Sequence, residues 1–296
     1  MSDYVHVDGQ LLSYEAAHIT AGDAGLLHGA GLFETMRARN RKVFRLRQHL
    51  ERLSKSAQTL SIPFSLGEAQ LVEIIDELLE ANDLRDARLR LTITRGDLHA
   101  ATAEDPVPPV TFILSAAEFT PYPAGLYQKG MTVIVSQYKQ NPENPLTGHK
   151  ATSYLDRLLA LREAQQVKAG EALWFTACTN YLAEGSISNV FLVMQDGVLA
   201  TPPLTIPDKT NQRLCLPGIT RQAVLDVATS QNILPHERLL TINDVLAAKE
   251  IFLTNAIMGV MPVTHVEKHG VADGAPGPLT RQLTQGFSEL FAGETA

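Results

Sequence analysis

Strand-like and helix-like segments alternate along this chain of 296 residues in two blocks, separated by the breaker-rich run Thr120-Pro121-Tyr122-Pro123-Ala124-Gly125. In the first block, residues 5–7 and 11–14 read as strands joined through an Asp8-Gly9 turn, a hairpin signal. Residues 32–38 read as a strand, and Asn40 begins a turn. Residues 47–60 space Leu50, Leu53, Ala57 and Leu60 at helical intervals, as residues 67–81 do Leu71, Ile74, Ile75, Leu78 and Leu79. Strand-like runs follow at 88–94 and 110–115. The second block predicts strands at 131–137, 172–176, 189–194, 198–200 and 250–254. It predicts helices at 154–167, from Ile219 onward, and around 279–292. This intermixing predicts a mixed α/β or α+β fold, and the hairpins and short strands argue against a doubly wound parallel sheet. The expected organisation is a small N-terminal α/β domain over residues 1–119, a linker over 120–128 and a larger C-terminal domain over 129–296.

Composition narrows the function classes. The chain is 45% hydrophobic and 19% charged, ordinary for a globular protein, and its net charge of −7 argues against a nucleic-acid binder. No run of about 18 apolar residues predicts a membrane span. The start, Met1-Ser2-Asp3-Tyr4-Val5-His6, lacks the basic and apolar regions of a signal peptide. Cys178 and Cys215 show no metal-type spacing, and the nine histidines form no HExxH pattern, so no metal site is expected. A cytoplasmic protein with reduced thiols is the expectation.

Four segments offer chemistry. Lys150, in His149-Lys150-Ala151-Thr152-Ser153-Tyr154, precedes a helix; a lysine that attacks an aldehyde must lose its proton, which calls for a desolvated setting. Glu184-Gly185-Ser186-Ile187-Ser188-Asn189 puts a carboxylate and small polar residues ahead of an apolar strand, as a ligand loop or simply a capped turn. Leu216-Pro217-Gly218-Ile219-Thr220-Arg221 opens a helix whose free N–H groups suit a phosphate. His49 and Arg52 share one helical stripe, and the arginine offers a bidentate cation. Each segment, taken alone, reads more simply as a surface charge or an ordinary turn.

In this order the segments resemble the class IV aminotransferases, the fold type IV family of pyridoxal phosphate enzymes. His28-Gly29-Ala30-Gly31-Leu32-Phe33-Glu34-Thr35-Met36-Arg37 looks like the family's first block. Phe44-Arg45-Leu46-Arg47-Gln48-His49-Leu50-Glu51-Arg52-Leu53 is similar to its phosphate-arginine helix, and Phe252-Leu253-Thr254-Asn255-Ala256 completes the set. The resemblance implies a two-domain architecture with the larger domain holding pyridoxal 5′-phosphate, and a homodimer. It implies that Lys150 carries the cofactor as a Schiff base and then moves a proton in a 1,3-shift, that Glu184 faces the pyridine nitrogen, and that Tyr154 meets the 3′ oxygen. Arg52, the Ile219 and Thr220 N–H groups and Thr254 would hold the phosphate, with Ser188, Asn189 and Asn255 also cofactor-binding. One departure is the stretch 202–213, longer than the family pattern; it reads as a tolerated surface insertion.

The resemblance implies an aminotransferase that moves an amino group between an amino acid or amine and a 2-keto acid. The alternative is 4-amino-4-deoxychorismate lyase, which releases pyruvate and 4-aminobenzoate. The D-amino acid enzymes' Arg-x-His trap is missing from Asp97-Leu98-His99-Ala100-Ala101-Thr102-Ala103-Glu104, and so is the lyases' Gly-Arg-Gly-Tyr motif. The segment 255–263 nevertheless looks like that of the lyases. Phe33, Arg37, Arg95, His99, Asn255 and Ala256 are the expected substrate-binding residues, with Arg37, Arg95 and His99 as candidates for gripping a carboxylate. Both reactions begin by removing the same Cα proton, so Lys150 does not separate them.

Overall fold

The computed structural model describes residues 3–100, 109–209 and 211–296. It divides into two units. The first takes the chain up to Thr120 with His149–Ser153 and Ala292–Ala296; the second takes Pro121–Gly148 and Tyr154–Phe291.

The first unit runs β1 (Tyr4–Val7), β2 (Gln10–Ser13), α1 (Ala24–His28), β3 (Gly31–Arg39), β4 (Lys42–Val43), α2 (Leu46–Thr59), α3 (Glu68–Ala81), β5 (Ala87–Thr94) and β6 (Thr111–Glu118). Its strands form one antiparallel sheet in the order β2-β1-β6-β5-β3-β4. The hairpin expected at Asp8-Gly9 forms, with Val7 opposite Gln10. β5 shows why one face is covered: Ala87, Leu89, Leu91 and Ile93 are buried while Arg88 and Arg90 are exposed, the period of two of a half-buried strand. Leu50, Leu53 and Ala57 of α2 and Leu71, Ile75, Leu78 and Leu79 of α3 close over that apolar face.

One charged residue belongs to the covered face. Glu34 of β3 lies opposite Leu91, between Leu32 and Met36, and is 1% exposed. A carboxylate there is tolerable only if cations and donors answer it. α2 supplies them: Arg52 Nε donates at 2.8 Å, its Nη2 reaches the other oxygen, and His49 Nδ1 lies 2.7 Å away. Burial pushes the Glu34 carboxyl up, but Arg52 and His49 outweigh it and hold it at about 2. Burial holds His49 below its ordinary value.

The second unit runs α4 (Ala124–Lys129), β7 (Met131–Gln140), α5 (Leu155–Gln166), β8 (Glu171–Thr176), β9 (Leu182–Gly185), β10 (Asn189–Val193), β11 (Leu199–Thr201), α6 (Ile219–Ser230), β12 (Pro235–Glu237), α7 (Ile242–Ala247), β13 (Glu250–Asn255), β14 (Gly259–Val266), β15 (His269–Gly270) and α8 (Pro278–Glu294), the last residues of α8 going with the first unit. Its sheet is mixed, in the order β12-β11-β10-β13-β14-β7-β8-β9 with β15 on β14. β7 is parallel to β8 and β14, and β11 to β12. β8, β10 and β13 are buried nearly throughout, so they read as apolar runs rather than alternations. Phe191 and Phe252 stack across the β10–β13 pair at 4.8 Å.

Several elements went unread in the sequence: α1, α4, α7, β9, β12, β14 and β15. α4 begins inside the stretch 120–128 expected to be a linker. The long stretch 202–213 folds back on itself, with Ile206 N–H on Gln212 O at 2.9 Å and Leu214 N–H on Leu204 O at 2.9 Å. Ile206 is buried with Ala183 and Leu214, so the stretch is anchored to the core; Thr210 lies outside the described residues.

The Glu34 cluster sets a pH dependence. A carboxyl held at about 2 instead of 4.5 adds stability that is present above 4.5 and lost as pH falls toward 2. His49, lowered from 6.5, acts in the same sense, because the unfolded chain takes up its proton first as pH falls below 6.5. Glu34→Gln is expected to cost about 3–5 kcal/mol at pH 7, as breaking a buried pair does. Denaturant melts at pH 7 and pH 3.5 test this: the wild type should lose stability on acidification and the variant should lose clearly less. Equal losses would exclude the cluster as the source.

Candidate active site

The residues expected to carry chemistry form one group in each unit. In the first, residues 149–153 extend the sheet along β3: Phe33 N–H donates to Lys150 O at 2.8 Å, Thr152 N–H to Gly31 O at 2.9 Å, and Leu32 pairs with Ala151. This backbone zipper fixes the origin of the Lys150 side chain, which turns onto the Phe33 ring with Nζ 4.3 Å from its centre. Arg90 of β5 lies against the same ring at 3.9 Å. The amine is half-buried on an aromatic surface, a setting far from that of a solvated surface lysine. Its charge is one of the influences that disfavour protonation of His49. His149 Nδ1 lies 2.9 Å from Ser56 Oγ on α2.

The expected anion-binding residues of this unit sit less simply. Arg52 has Nε and Nη2 on Glu34, so its fork serves the sheet-to-helix link. Arg37 lies over the Phe119 ring at 3.9 Å. Arg37 pairs with Arg88 at one end of the β3–β5 ladder, whereas Gly31 pairs with Thr94 at the other, next to Arg95. Six strand positions, roughly 20 Å, separate those ends. Arg37 and Arg95 are therefore not brought to one carboxylate. His99 follows Arg95 in an exposed turn closed by its own N–H on Asp97 Oδ1 at 2.9 Å. Ala101, Thr102, Ala103 and Glu104, the rest of the segment compared with the Arg-x-His trap, lie outside the described residues.

In the second unit, Glu184 of β9 is 6% exposed. Arg157 Nη2 donates to its Oε1 at 2.8 Å and Leu216 N–H to its Oε2 at 2.9 Å. Arg157 also donates through Nη1 to Gly185 O at 3.0 Å, reaches Gln140 Oε1, and stacks on Trp174 at 4.4 Å. Sequence reading passed over Arg157. The available signal was its place three residues after Tyr154, on the same stripe at the start of α5. Tyr154 donates its hydroxyl proton to Ser186 O at 2.8 Å, leaving the oxygen's lone pairs as what it can offer a ligand. Burial pushes this phenol well up from its ordinary range.

Three residues expected to touch a cofactor also shape loops. Ser188 Oγ is on Glu171 Oε2 at 2.9 Å, and Asn189 Nδ2 is on Leu216 O at 2.9 Å. Asn255 donates to Ile187 O at 3.2 Å and accepts from the N–H groups of Ile257 and Met258 at 2.9 and 2.8 Å, closing the turn that contains Ala256.

The start of α6 has the character of an anion site. Gly218 caps this helix of twelve residues without a side chain, so the amides of its first turn are not answered by a cap. A Cβ at Gly218 would stand 1.9 Å from Asn189 Oδ1, so only glycine allows the loop so close to β10. Asn189 pairs across the sheet with Thr254, which is 1% exposed and whose Oγ1 has no hydrogen-bond partner among the described residues. A buried hydroxyl left without a partner carries a desolvation cost that a bound oxyanion would relieve. Ile219, Thr220 and Thr254 thus fit the phosphate they were expected to hold.

Among the described residues no helix is long and apolar enough to cross a membrane, and no cluster of three or more His, Cys, Asp or Glu is placed to hold a metal. The model of the amino-transferase class IV family matches residues 31–266. The branched-chain-amino-acid aminotransferase of Escherichia coli K12 is 30% identical over 99% of this chain and 94% of its own. A crystal structure of the branched-chain enzyme from E. coli superposes with a TM-score of 0.88, covering 100% of this chain and 97% of the other. A further branched-chain amino acid aminotransferase, solved with pyridoxamine 5′-phosphate, gives 0.88 at 26% identity, covering 99% and 95%. A Legionella pneumophila structure assigned as a 4-amino-4-deoxychorismate lyase gives 0.82 at 23% identity, covering 94% and 97%, a likeness of fold alone. The two-sheet architecture is that of the fold type IV enzymes, and the chain belongs to the class IV aminotransferase family.

Proposed function

We propose that this protein is a pyridoxal-5′-phosphate-dependent aminotransferase acting between an amino acid and a 2-keto acid. The observation that carries the reading is the pairing of an uncapped α6 N-terminus with the buried, unpartnered Thr254 hydroxyl, an anion cradle in a chain of this family. When bound, the cofactor supplies an aldehyde for a Schiff base and an electron-poor ring that accepts the electrons of a Cα carbanion. Lys150 would supply the amine that holds the cofactor and would carry the proton to and from Cα. The Phe33 ring beneath it limits its rotamers and keeps water from one side. Glu184 would face the ring nitrogen, its carboxylate held by Arg157 and the Leu216 N–H. Ile219, Thr220 and Thr254 would hold the phosphate, with Arg52 as a further cation.

The branched-chain relatives support leucine, isoleucine and valine as the first donors to test. The same reading makes the protein a cytoplasmic homodimer. Leu155, Leu158 and Leu159 stand exposed on one stripe of α5, a surface that an assembly would cover.

Attachment at Lys150 is tested with protein loaded with pyridoxal 5′-phosphate. The wild type should show a visible band that borohydride bleaches, leaving a stable adduct on the peptide containing Lys150. A Lys150→Ala protein that retained the reducible adduct would sink the assignment. The reaction type is tested with single substrates. A branched-chain amino acid alone should convert the loaded protein once and stop until a 2-keto acid is added, and the Lys150→Ala variant should lose at least about 10³-fold in rate. Continuous pyruvate release from aminodeoxychorismate without a second substrate would establish the lyase instead. Light scattering behind a sizing column should return twice the chain mass; a monomer mass would remove the dimer.

A further inference from the structure

Glu171, a buried carboxylate, has no part in the chemistry just proposed. It is 2% exposed at the start of β8. Its Oε1 accepts from Ala172 N–H at 2.9 Å and Ser186 N–H at 3.0 Å, and its Oε2 from Ile187 N–H at 3.1 Å and Ser188 Oγ at 2.9 Å. Three of the four donors belong to the turn between β9 and β10. That turn is closed by Gly185 N–H on Ser188 O at 2.7 Å. It wraps the carboxylate so tightly that a Cβ on Gly185 would come within 2.2 Å of Ser188 Oγ and 3.0 Å of Glu171 Cδ.

The acceptors of the same turn point to other side chains. Ser186 O takes the Tyr154 hydroxyl at 2.8 Å, Ser186 Oγ takes Trp174 Nε1 at 2.9 Å, and Ile187 O takes Asn255 Nδ2 at 3.2 Å. The Ser186 carbonyl shares its rigid peptide plane with the Ile187 N–H, and the Gly185 carbonyl, which takes Arg157 Nη1, shares one with the Ser186 N–H, so fixing those amides on Glu171 restricts where both carbonyls point. We propose that Glu171 is a positioning residue: by gathering the Ser186 and Ile187 amides and the Ser188 hydroxyl, it sets the Ser186 carbonyl that holds Tyr154 in place. The catalytic consequence rests on the functional reading above together with the expected contact of Tyr154 with the cofactor's 3′ oxygen; the shaping of the turn does not.

A carboxylate suits this place because four donors converge on two oxygens, and an ionised acid offers acceptors on both with no proton of its own to set against them. Burial pushes the Glu171 acid up while its four donors pull it down, and burial wins. The four donors are what offset the cost of placing that group out of water. Glutamine has nearly the same volume but would set an amide N–H₂ against either the Ser186 and Ala172 amides or the Ile187 amide and Ser188. The Ser188 hydroxyl can rotate to accept; a backbone N–H cannot.

The test uses Glu171→Gln, Tyr154→Phe and the double variant. The only tryptophan of the chain, Trp174, reports on the turn without any cofactor. In cofactor-free protein, Glu171→Gln should shift Trp174 emission and speed amide exchange at Ile187 on the order of ten- to a hundredfold, the loss of a charge-assisted bond, whereas the Ser186 amide keeps its bond to Ala172 O. Loaded protein should show the visible band displaced in the same direction by Glu171→Gln and by Tyr154→Phe, with little further change in the double variant. Ser188→Ala, which removes one donor, should move each readout the same way by less, and it decides the matter if Glu171→Gln does not fold. Unchanged emission and exchange would overturn the shaping of the turn. Altered exchange with strictly additive effects would make Glu171 merely structural and overturn its positioning role. The cofactor-free readouts hold whether or not Lys150 binds the cofactor, so this proposal and the functional reading fail on separate results.

Discussion

The Glu184 carboxylate is the junction on which the second unit depends. It joins β9 to α5 through Arg157 and to the approach of α6 through the Leu216 N–H. Those contacts fix where Tyr154 starts α5 and where Gly218 starts α6. An ion pair as buried as this one contributes little net stability, since desolvation offsets most of the attraction. Its value is geometric. Charge-assisted bonds of good geometry leave the three elements one arrangement, and misalignment strands a buried charge.

The same device recurs. Glu34 ties β3 to α2 through His49 and Arg52, Glu171 ties β8 to the turn before β10, and Glu250 caps α8 through the Leu279 and Thr280 amides at 3.1 and 2.7 Å. Each carboxylate stands on a strand and answers donors on a segment distant in sequence. The apolar clusters supply the bulk of the driving force without direction. The carboxylates decide register and loop shape, to which a site for a small charged molecule is sensitive.

Much of the fold was legible because its cues are local. Asp8-Gly9 between two strand-like runs suffices for a hairpin, and the three- and four-residue spacing of Leu50, Leu53 and Ala57 suffices for a helix with one covered face. β14 went unread because the run from Gly259 to Val266 is buried almost throughout and carries no alternation. α1, α4 and α7 are five or six residues long, too short for helical periodicity to show. Lys150 and Glu184 became candidates through their place in a family pattern, whereas Arg157 has no meaning until α5 turns it onto Glu184.

The division follows from the range of the forces involved. The amino-acid sequence by itself determined the types of the longer elements and, through the order of its motifs, the family to which the chain belongs, since turn preferences and hydrophobic periods act within a few residues. Only the tertiary structure decided which polar groups meet. It set Lys150 on the Phe33 ring, turned Arg52 onto Glu34, left Thr254 without a partner among the described residues beside α6, and placed Arg37 and Arg95 at opposite ends of one strand pair. Those outcomes depend on which carboxylates and amides are deprived of water together, and burial is settled by the whole fold.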